Sequence, residues 1–382
     1  MAAPLKATFL TGDPDVQSGT PPGSNRMGCG SSQPSIPADG VHDASAQPKS
    51  SAMSPGKTSG SPVKKVAFSG AAKPGKGSAG KEKVALVGSG NWGSAIATKI
   101  GLNVLSNTML DKEVMMWVFE EYVKEEDGKW VRPARGAQPP EGKTWVDEGY
   151  EPLTEVINRL NENVIYLPGI KLPKSIVATP DVKKCVTGAT MMVFVIPHNF
   201  LAPIVPKMEG AFAKGAVGIS LIKGIEFKDS KPILISDLLA AEMKKGTDAP
   251  DVDMSVLMGA NVANEVAKGD FAEATVGCTD MAIGEKWVKV FNTPDFKVDP
   301  VMDVAGAELC GALKNIVALG AGFCDGLGFG GNTKAAIIRV GLKEMQKFCE
   351  AFYGDRKIKQ DTFLESCGAA DLITTCFGGR NR

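Results

Sequence analysis

The stretch Val87-Gly-Ser-Gly-Asn-Trp-Gly-Ser-Ala-Ile-Ala97 constrains this chain more than any other. It is a GxGxxG that closes a short apolar run, Val84 to Gly88, and opens a segment rich in Ala and Ile. Gly88 suits a tight turn, Gly90 lets a pyrophosphate approach the backbone, and Gly93 permits close packing of a helix on the strand. Ser89, Asn91 and Trp92 complete the loop, and the helix that follows directs its amino-terminal dipole at bound phosphate. A βαβ unit holding a dinucleotide is the expectation. A tight turn without a ligand is the alternative that the motif alone leaves open.

Three further apolar runs fit strands buried on both faces of a parallel sheet: Val114 to Phe119, Met191 to Pro197 and Gly215 to Ile222. Helical segments separate several of them, which predicts a doubly wound α/β domain over residues 81–302. Ala305 to Gly341 and Thr362 to Cys376 read as helices with no strand between them, so a mainly α-helical domain, 303–382, is expected to follow. Residues 1–80 hold much Gly, Ser, Pro and Ala with only Phe9 and Phe68 as aromatics, the composition of a disordered tail. Its basic end, near Lys64, Lys65, Lys73 and Lys76, leaves organellar targeting open but has no secretory core. Met27-Gly-Cys-Gly-Ser-Ser32 has the form of a myristoylation start, yet it is internal and reads as a chance match. The polar segment 122–150 reads as an inserted surface loop in which Trp130 and Trp145 face one another across a hairpin.

Composition narrows the partners. Forty-three basic residues balance 43 acidic ones, which argues against a surface built for nucleic acid and favours a small molecule. Eight cysteines show no CxxC pair and no disulfide framework, the pattern of reduced cytosolic thiols. With only His42 and His198 as imidazoles, no metal site is expected. No apolar run reaches 18 residues, so no transmembrane segment is expected.

The chemistry-bearing residues gather at strand ends and in the helical part. Trp117-Val-Phe-Glu-Glu121 ends the second strand, where an acid repels a 2′-phosphate and bonds a ribose hydroxyl, favouring NAD over NADP. Glu120 and Glu121 as a solvated pair remain the alternative. After the strand ending at Pro197 come His198, read as an ordinary loop residue for want of a local acid, and Phe200, a candidate to pack on the cofactor. Lys223 stands at the end of Ser220-Leu-Ile-Lys-Gly224, on the edge where such sheets bind ligands. Lys314 interrupts the apolar run Leu309 to Gly322, and burying an ammonium costs several kcal/mol unless it is paired. It either snorkels at the helix edge or points into a lined cavity. Asp371 and Thr375, four apart, share one helical face, and Arg380 beside Asn381 offers a forked cation and an amide suited to phosphate.

Taken in order, GSGNWGSAIA, WVFEE, LPG (167–169), SLIKG (220–224), SVLMGAN (255–261), GALKN (311–315), GAGFCDGLGFG (320–330), NTKAA (332–336) and ESCGAADLITTC with GGRNR closely resemble the eukaryotic NAD-dependent glycerol-3-phosphate dehydrogenases from Lys83 to Arg382. The resemblance implies an amino-terminal Rossmann domain, a helical carboxyl-terminal domain, NAD as cofactor, and reversible reduction of dihydroxyacetone phosphate to glycerol 3-phosphate in a cytoplasmic homodimer. By motif it assigns Gly88, Ser89, Gly90, Asn91, Trp92, Gly93, Phe119, Phe200, Ala260 and Arg380 to NAD. Lys223, Arg380 and Asn381 fall to substrate. Lys314 becomes the catalytic lysine, aimed and kept charged by Asp371, with Asn315 and Thr375 completing the hydrogen bonding. Asn199 stands where the family usually has glutamine, the segment 122–150 is longer than the usual connection, and the helical domain is expected to be incomplete at its carboxyl end. The alternative is a truncated NADH-binding protein with little catalysis; another dehydrogenase of this architecture would not need Lys223, Lys314, Asp371 and Arg380 together.

Overall fold

A computed structural model describes residues 80–229, 231–244 and 252–378. The expected tail and its Met27 to Ser32 motif lie outside the described residues, apart from Gly80. Among the described residues thirteen strands follow in chain order: β1 (Val84–Val87), β2 (Val114–Trp117), β3 (Tyr122–Glu126), β4 (Lys129–Val131), β5 (Glu151–Pro152), β6 (Ile176–Thr179), β7 (Met191–Phe194), β8 (Val217–Ser220), β9 (Glu226–Lys228), β10 (Lys231–Ile233), β11 (Met254–Met258), β12 (Ala272–Gly277) and β13 (Phe296–Val301). Eight form one sheet in the order β13-β12-β11-β8-β7-β1-β2-β6, parallel except where β12 runs against β11.

The strand order reverses between β1 and β7, because the chain winds outward through β2 and β6 and then returns to build β7, β8 and β11 on the other side. A crevice opens at such a switch point beyond the carboxyl ends of the strands. The apolar runs form strands because both faces of the sheet are covered. Val84 and Leu86 enter one core with Met116 and Ile96, while Ala85 and Val87 enter the other with Met115 and Trp117.

Beyond β13, Asp303 caps the helix Val304–Gly326, its Oδ1 accepting from the Gly306 amide at 2.8 Å and its Oδ2 from the Thr362 hydroxyl at 2.8 Å. That helix buries Leu309, Leu313, Val317 and Ala321 with Met345, Phe363, Cys367 and Leu372 in a third core. Its mean hydropathy of 1.3 would suit a membrane span, yet 61% of its most apolar window is buried in the fold, so here it is a core helix. The seven described cysteines are free and buried.

Two expectations need correction. A helix through Gly341 does not hold: the chain leaves the helix after Gly326, with Gly328 left-handed at φ +73, and a second helix runs Gly331–Tyr353. Glycine past a helix end supplies that stop without steric cost. The hairpin in 122–150 exists as β3 against β4, but Trp145 meets Tyr150 edge-on at 5.3 Å while Trp130 packs on the sheet core.

One buried acid ties the helical part to the sheet. Glu308, fully buried, accepts from the Ile235 amide at 2.6 Å and from the Ser236 amide and hydroxyl at 3.2 and 2.5 Å, capping the helix Ile235–Lys244. Glu308→Ala leaves these donors unpaired and should cost about 2–4 kcal/mol in urea denaturation. Burial pushes the Glu308 carboxyl from 4.5 up to about 7, so the native state binds the extra proton between those values. Its stability contribution is complete at low pH and lost as pH rises through the native value. The gap between wild type and Glu308→Ala should therefore narrow as pH rises from 4.5 to about 7.

Candidate active site

The glycine loop leaves β1 with Gly88 at φ +123, where an added Cβ would stand 2.5 Å from the Val195 carbonyl oxygen. At Gly93 an added Cβ would meet the Gly88 oxygen at 2.5 Å, so both positions are closed to side chains by the fold itself. Gly90 differs: nothing lies within 4 Å of an added Cβ, and no side chain caps the helix Asn91–Ser106 that it begins. That open face at a 16-residue helix start is the cradle a pyrophosphate needs, and the loop fits NAD.

The loop is held from behind by Asn163, fully buried, whose Nδ2 donates to the Ser89 oxygen at 2.8 Å and to Ser94 Oγ at 2.9 Å. Asn91 reaches across to the Tyr166 oxygen at 2.7 Å and to Asn264 Oδ1 at 3.0 Å. Nothing local in the sequence ties Asn163 to the loop, because Ser89 and Ser94 lie some seventy residues away along the chain; its Oδ1 accepts locally from the Tyr166 amide at 3.1 Å.

Across a cavity of about 650 Å³ from Asn91 and Trp92 stands a cluster of three charges, with Asn261 and Thr374 also in the wall. Asp371, only 3% exposed, accepts from Lys314 Nζ at 2.6 Å through one carboxylate oxygen and from Lys223 Nζ at 2.7 Å through the other. Lys314 also donates to Thr375 Oγ1 at 2.8 Å, and that hydroxyl donates to the Asp371 carbonyl at 2.6 Å. Lys223 is further anchored on the Gly259 carbonyl at 2.9 Å. Gly311 makes room for Met258, since a Cβ there would lie 2.9 Å from Met258 Sδ, while the Lys223 stem, at 3.5 Å, would be in ordinary contact with it. A π turn, Ser366–Ala370, precedes Asp371 and is pinned to β12 through Ser366 Oγ on the Glu273 oxygen at 2.7 Å.

Lys314, 12% exposed, thus points into the cavity instead of snorkelling. Burial, and then the Lys223 charge, bring its ammonium from 10.5 down to about 8, more than Asp371 restores. Asp371 aims the lysine, then, but does not hold its charge at the ordinary strength.

Other expected residues scatter. Ala260 follows the Gly259 carbonyl beside Asn261 in the wall, whereas Asn315 faces the exposed side of its helix outside the cavity lining. Phe119 and Phe200 are exposed at the ends of β2 and β7, outside that lining. Arg380 and Asn381 lie outside the described residues. His198 has Glu226 at 3.7 Å, too long for a hydrogen bond, with both side chains exposed. Glu120 and Glu121 are not a solvated pair: Thr154 engages Glu120 through its amide at 3.2 Å and hydroxyl at 2.6 Å, and Glu121 accepts from Arg132 at 2.9 Å and the Tyr166 hydroxyl at 2.6 Å. Among the described residues no group of His, Cys, Asp and Glu is arranged to hold a metal.

Comparison with known proteins gives the same outline. Residues 83–284 match the profile of the NAD-dependent glycerol-3-phosphate dehydrogenase N-terminus, and residues 303–382 match that of its C-terminus. The chain belongs to the NAD-dependent glycerol-3-phosphate dehydrogenase family. It is 49% identical over 304 residues to the cytoplasmic glycerol-3-phosphate dehydrogenase [NAD(+)] of Rattus norvegicus, spanning 80% of this chain and 77% of the rat protein. Among solved structures it resembles the glycerol-3-phosphate dehydrogenase of Saccharomyces cerevisiae, with TM-score 0.66, 38% identity and 79% of each chain covered. The structure from Dunaliella salina matches with TM-score 0.65 and 37% identity over 79% of this chain, which spans 47% of that longer one.

In this dehydrogenase the three loop glycines divide between folding and binding, and two variants separate the roles. Gly88→Ala should cost at least about 2 kcal/mol through its positive φ and the facing carbonyl. Gly90→Ala should melt within about 2 °C of wild type, yet bind NADH about tenfold more weakly by titration of NADH fluorescence. Equal loss of stability in both would contradict the division.

Proposed function

We propose that this chain reduces dihydroxyacetone phosphate reversibly to sn-glycerol 3-phosphate with NADH, and that Lys314 is its general acid in reduction and general base in oxidation. The observation that carries this reading is the single Asp371 carboxylate bridging two ammonium groups in the wall of the cavity that the glycine loop borders. One acid against two cations leaves net positive charge, which suits a substrate bearing phosphate and a carbonyl oxygen that becomes negative as it is reduced. NADH, when bound, supplies the hydride. Lys314 places an ammonium on the carbonyl oxygen and gives it a proton, and a value of about 8 lets the same group take the proton back in the reverse direction.

Lys223 holds the substrate at the opposite carboxylate oxygen of Asp371, and Thr375 fixes the Lys314 head by its hydroxyl. We assign substrate phosphate to Arg380 and Asn381, and Arg380 to the cofactor as well; Asn315, on the exposed side of its helix, is given no part in the Lys314 cluster. Phe119, Phe200 and Ala260 flank the dinucleotide. The functional boundary falls at 302/303, supported by the end of β13 at Val301 and the helix cap at Asp303. The cytoplasm, named for the rat relative, is the compartment we assign.

Lys314→Ala should lower kcat about 100-fold or more while leaving NADH affinity within about threefold. For reduction the ammonium is the donor, so kcat/KM for dihydroxyacetone phosphate should fall as pH rises through about 8; for oxidation the neutral amine is needed, and activity should rise up to that value. Stopped-flow NADH absorbance across pH checks both, and a wild-type limb that persists in Lys314→Ala would remove the lysine from the proton step. NADH binding with no reduction of dihydroxyacetone phosphate would favour a nucleotide-binding protein.

A homodimer is the assembly we assign. Supporting it, Ile316, Leu319 and Phe323 form an exposed apolar stripe on the helix Val304–Gly326. Light scattering should give twice the chain mass, and Phe323→Glu should halve it; a wild-type monomer would sink the assignment.

A further inference from the structure

The two hydrogen bonds that aim Lys314 also decide what its neutral form presents. Nζ donates to Asp371 Oδ1 at 2.6 Å and to Thr375 Oγ1 at 2.8 Å. Because the Thr375 hydroxyl gives its own proton to the Asp371 carbonyl at 2.6 Å, it meets Lys314 as an acceptor. A neutral lysine amine has two N–H bonds and one lone pair. The fold engages both N–H bonds, which turns the lone pair toward the cavity of about 650 Å³ that Lys314 lines.

The surroundings populate that form. Burial, and then the Lys223 ammonium, bring Lys314 from 10.5 down to about 8. About a tenth of the chains then carry the neutral amine at pH 7, against about one in three thousand for a lysine of ordinary value. A lysine desolvated beside a second cation is the arrangement that makes an amine nucleophilic. Lys223 comes from the end of β8 and Asp371 from the helix Asp371–Phe377, while Glu265, the remaining charged group in the wall, belongs to the helix Ala263–Lys268 and is exposed. Leu221 and Leu257 line the same space, an apolar wall that favours loss of water from an adduct.

We propose that Lys314 is also a covalent site for phosphorylated carbonyl compounds, and that without NADH it forms an imine with dihydroxyacetone phosphate. The proposal rests on the reading of this cavity as the substrate site and goes beyond it, since the lysine nitrogen here bonds to the carbonyl carbon and no hydride moves. As the Nζ–C bond forms, the carbonyl electron pair moves to oxygen, and one amine proton passes to that oxygen through Asp371 to give the carbinolamine. Its hydroxyl then leaves as water with a proton from the Lys223 ammonium, and the nitrogen lone pair closes the C=N bond. Nothing is oxidised or reduced, and Lys223 regains its proton from solvent. The positive charge of the protonated imine rests on the nitrogen that Asp371 holds, which stabilises it. Hydride delivered to the same carbon competes, so the imine accumulates only where NADH is lacking, and it silences proton transfer until water reverses it.

Sodium cyanoborohydride converts an imine to a stable secondary amine, so the full chain is incubated with it and dihydroxyacetone phosphate, without nucleotide, then digested and mapped by mass spectrometry. Lys314 should carry the reduced adduct and should be labelled at least about tenfold faster than the exposed lysines. Unphosphorylated dihydroxyacetone should label it at least about tenfold more slowly, since the two ammonium groups draw in the phosphate. The same preparation is assayed for NADH oxidation with dihydroxyacetone phosphate. An active chain in which Lys314 is unlabelled, or labelled no faster than the exposed lysines, or labelled equally by dihydroxyacetone, overturns the covalent site alone. A chain with neither adduct nor NADH oxidation overturns the substrate reading and the covalent site with it.

Discussion

One buried carboxylate sets the geometry of this molecule. Asp371 sits at the start of a short helix, yet its two oxygens hold lysines from the end of β8 and the middle of the helix Val304–Gly326. Removing an ion from water costs several kcal/mol after relaxation, and a lone buried Asp371 would be untenable. Two ammonium partners and the Thr375 hydroxyl at the Lys314 head offset that cost only when all three elements are in register. The cluster thus fixes the helical part relative to the sheet edge, and in doing so it builds the cavity wall.

The same logic operates behind the cofactor loop with neutral groups. Asn163 satisfies the Ser89 carbonyl and Ser94 hydroxyl in a fully buried position, so the loop cannot shift without breaking bonds that water does not replace. Gly90 is left open because its neighbours are held back. The nucleotide side is therefore organised by hydrogen bonds among uncharged groups, the reacting side by unbalanced charge, and the switch point between β1 and β7 brings them to one crevice.

Signals confined to a few neighbouring residues were legible in the sequence. The glycine loop and the four apolar strand runs carry their structure locally, and the Lys314 anomaly announced itself by its setting. The partners were not legible. Lys314 and Asp371 are 57 positions apart and Asn163 and Ser89 are 74 apart, so only the topology brings them together. Glu120 and Glu121 show how this misleads: read locally they are free acids at a ribose, but Thr154, Arg132 and Tyr166 arrive from later in the chain and consume them. The helix break at Gly328 failed for the opposite reason, since apolar spacing on both sides of it concealed a local stop.

Lys314 shows what the chemistry extracts from stability. Bringing an ammonium from 10.5 down to about 8 corresponds to about 3 kcal/mol of destabilisation of the charged form, even with Asp371 in contact. Between those two values the unfolded chain binds more protons than the native one, so this group makes the fold more stable as pH rises. Over the same interval the lysine loses the proton that reduction requires. Stability and reductive turnover therefore move in opposite directions with pH at this one residue, as expected of a group whose burial serves proton transfer and not packing. A lysine kept only to hold Asp371 would gain from a higher proton affinity, and the nearby Lys223 charge works against that outcome.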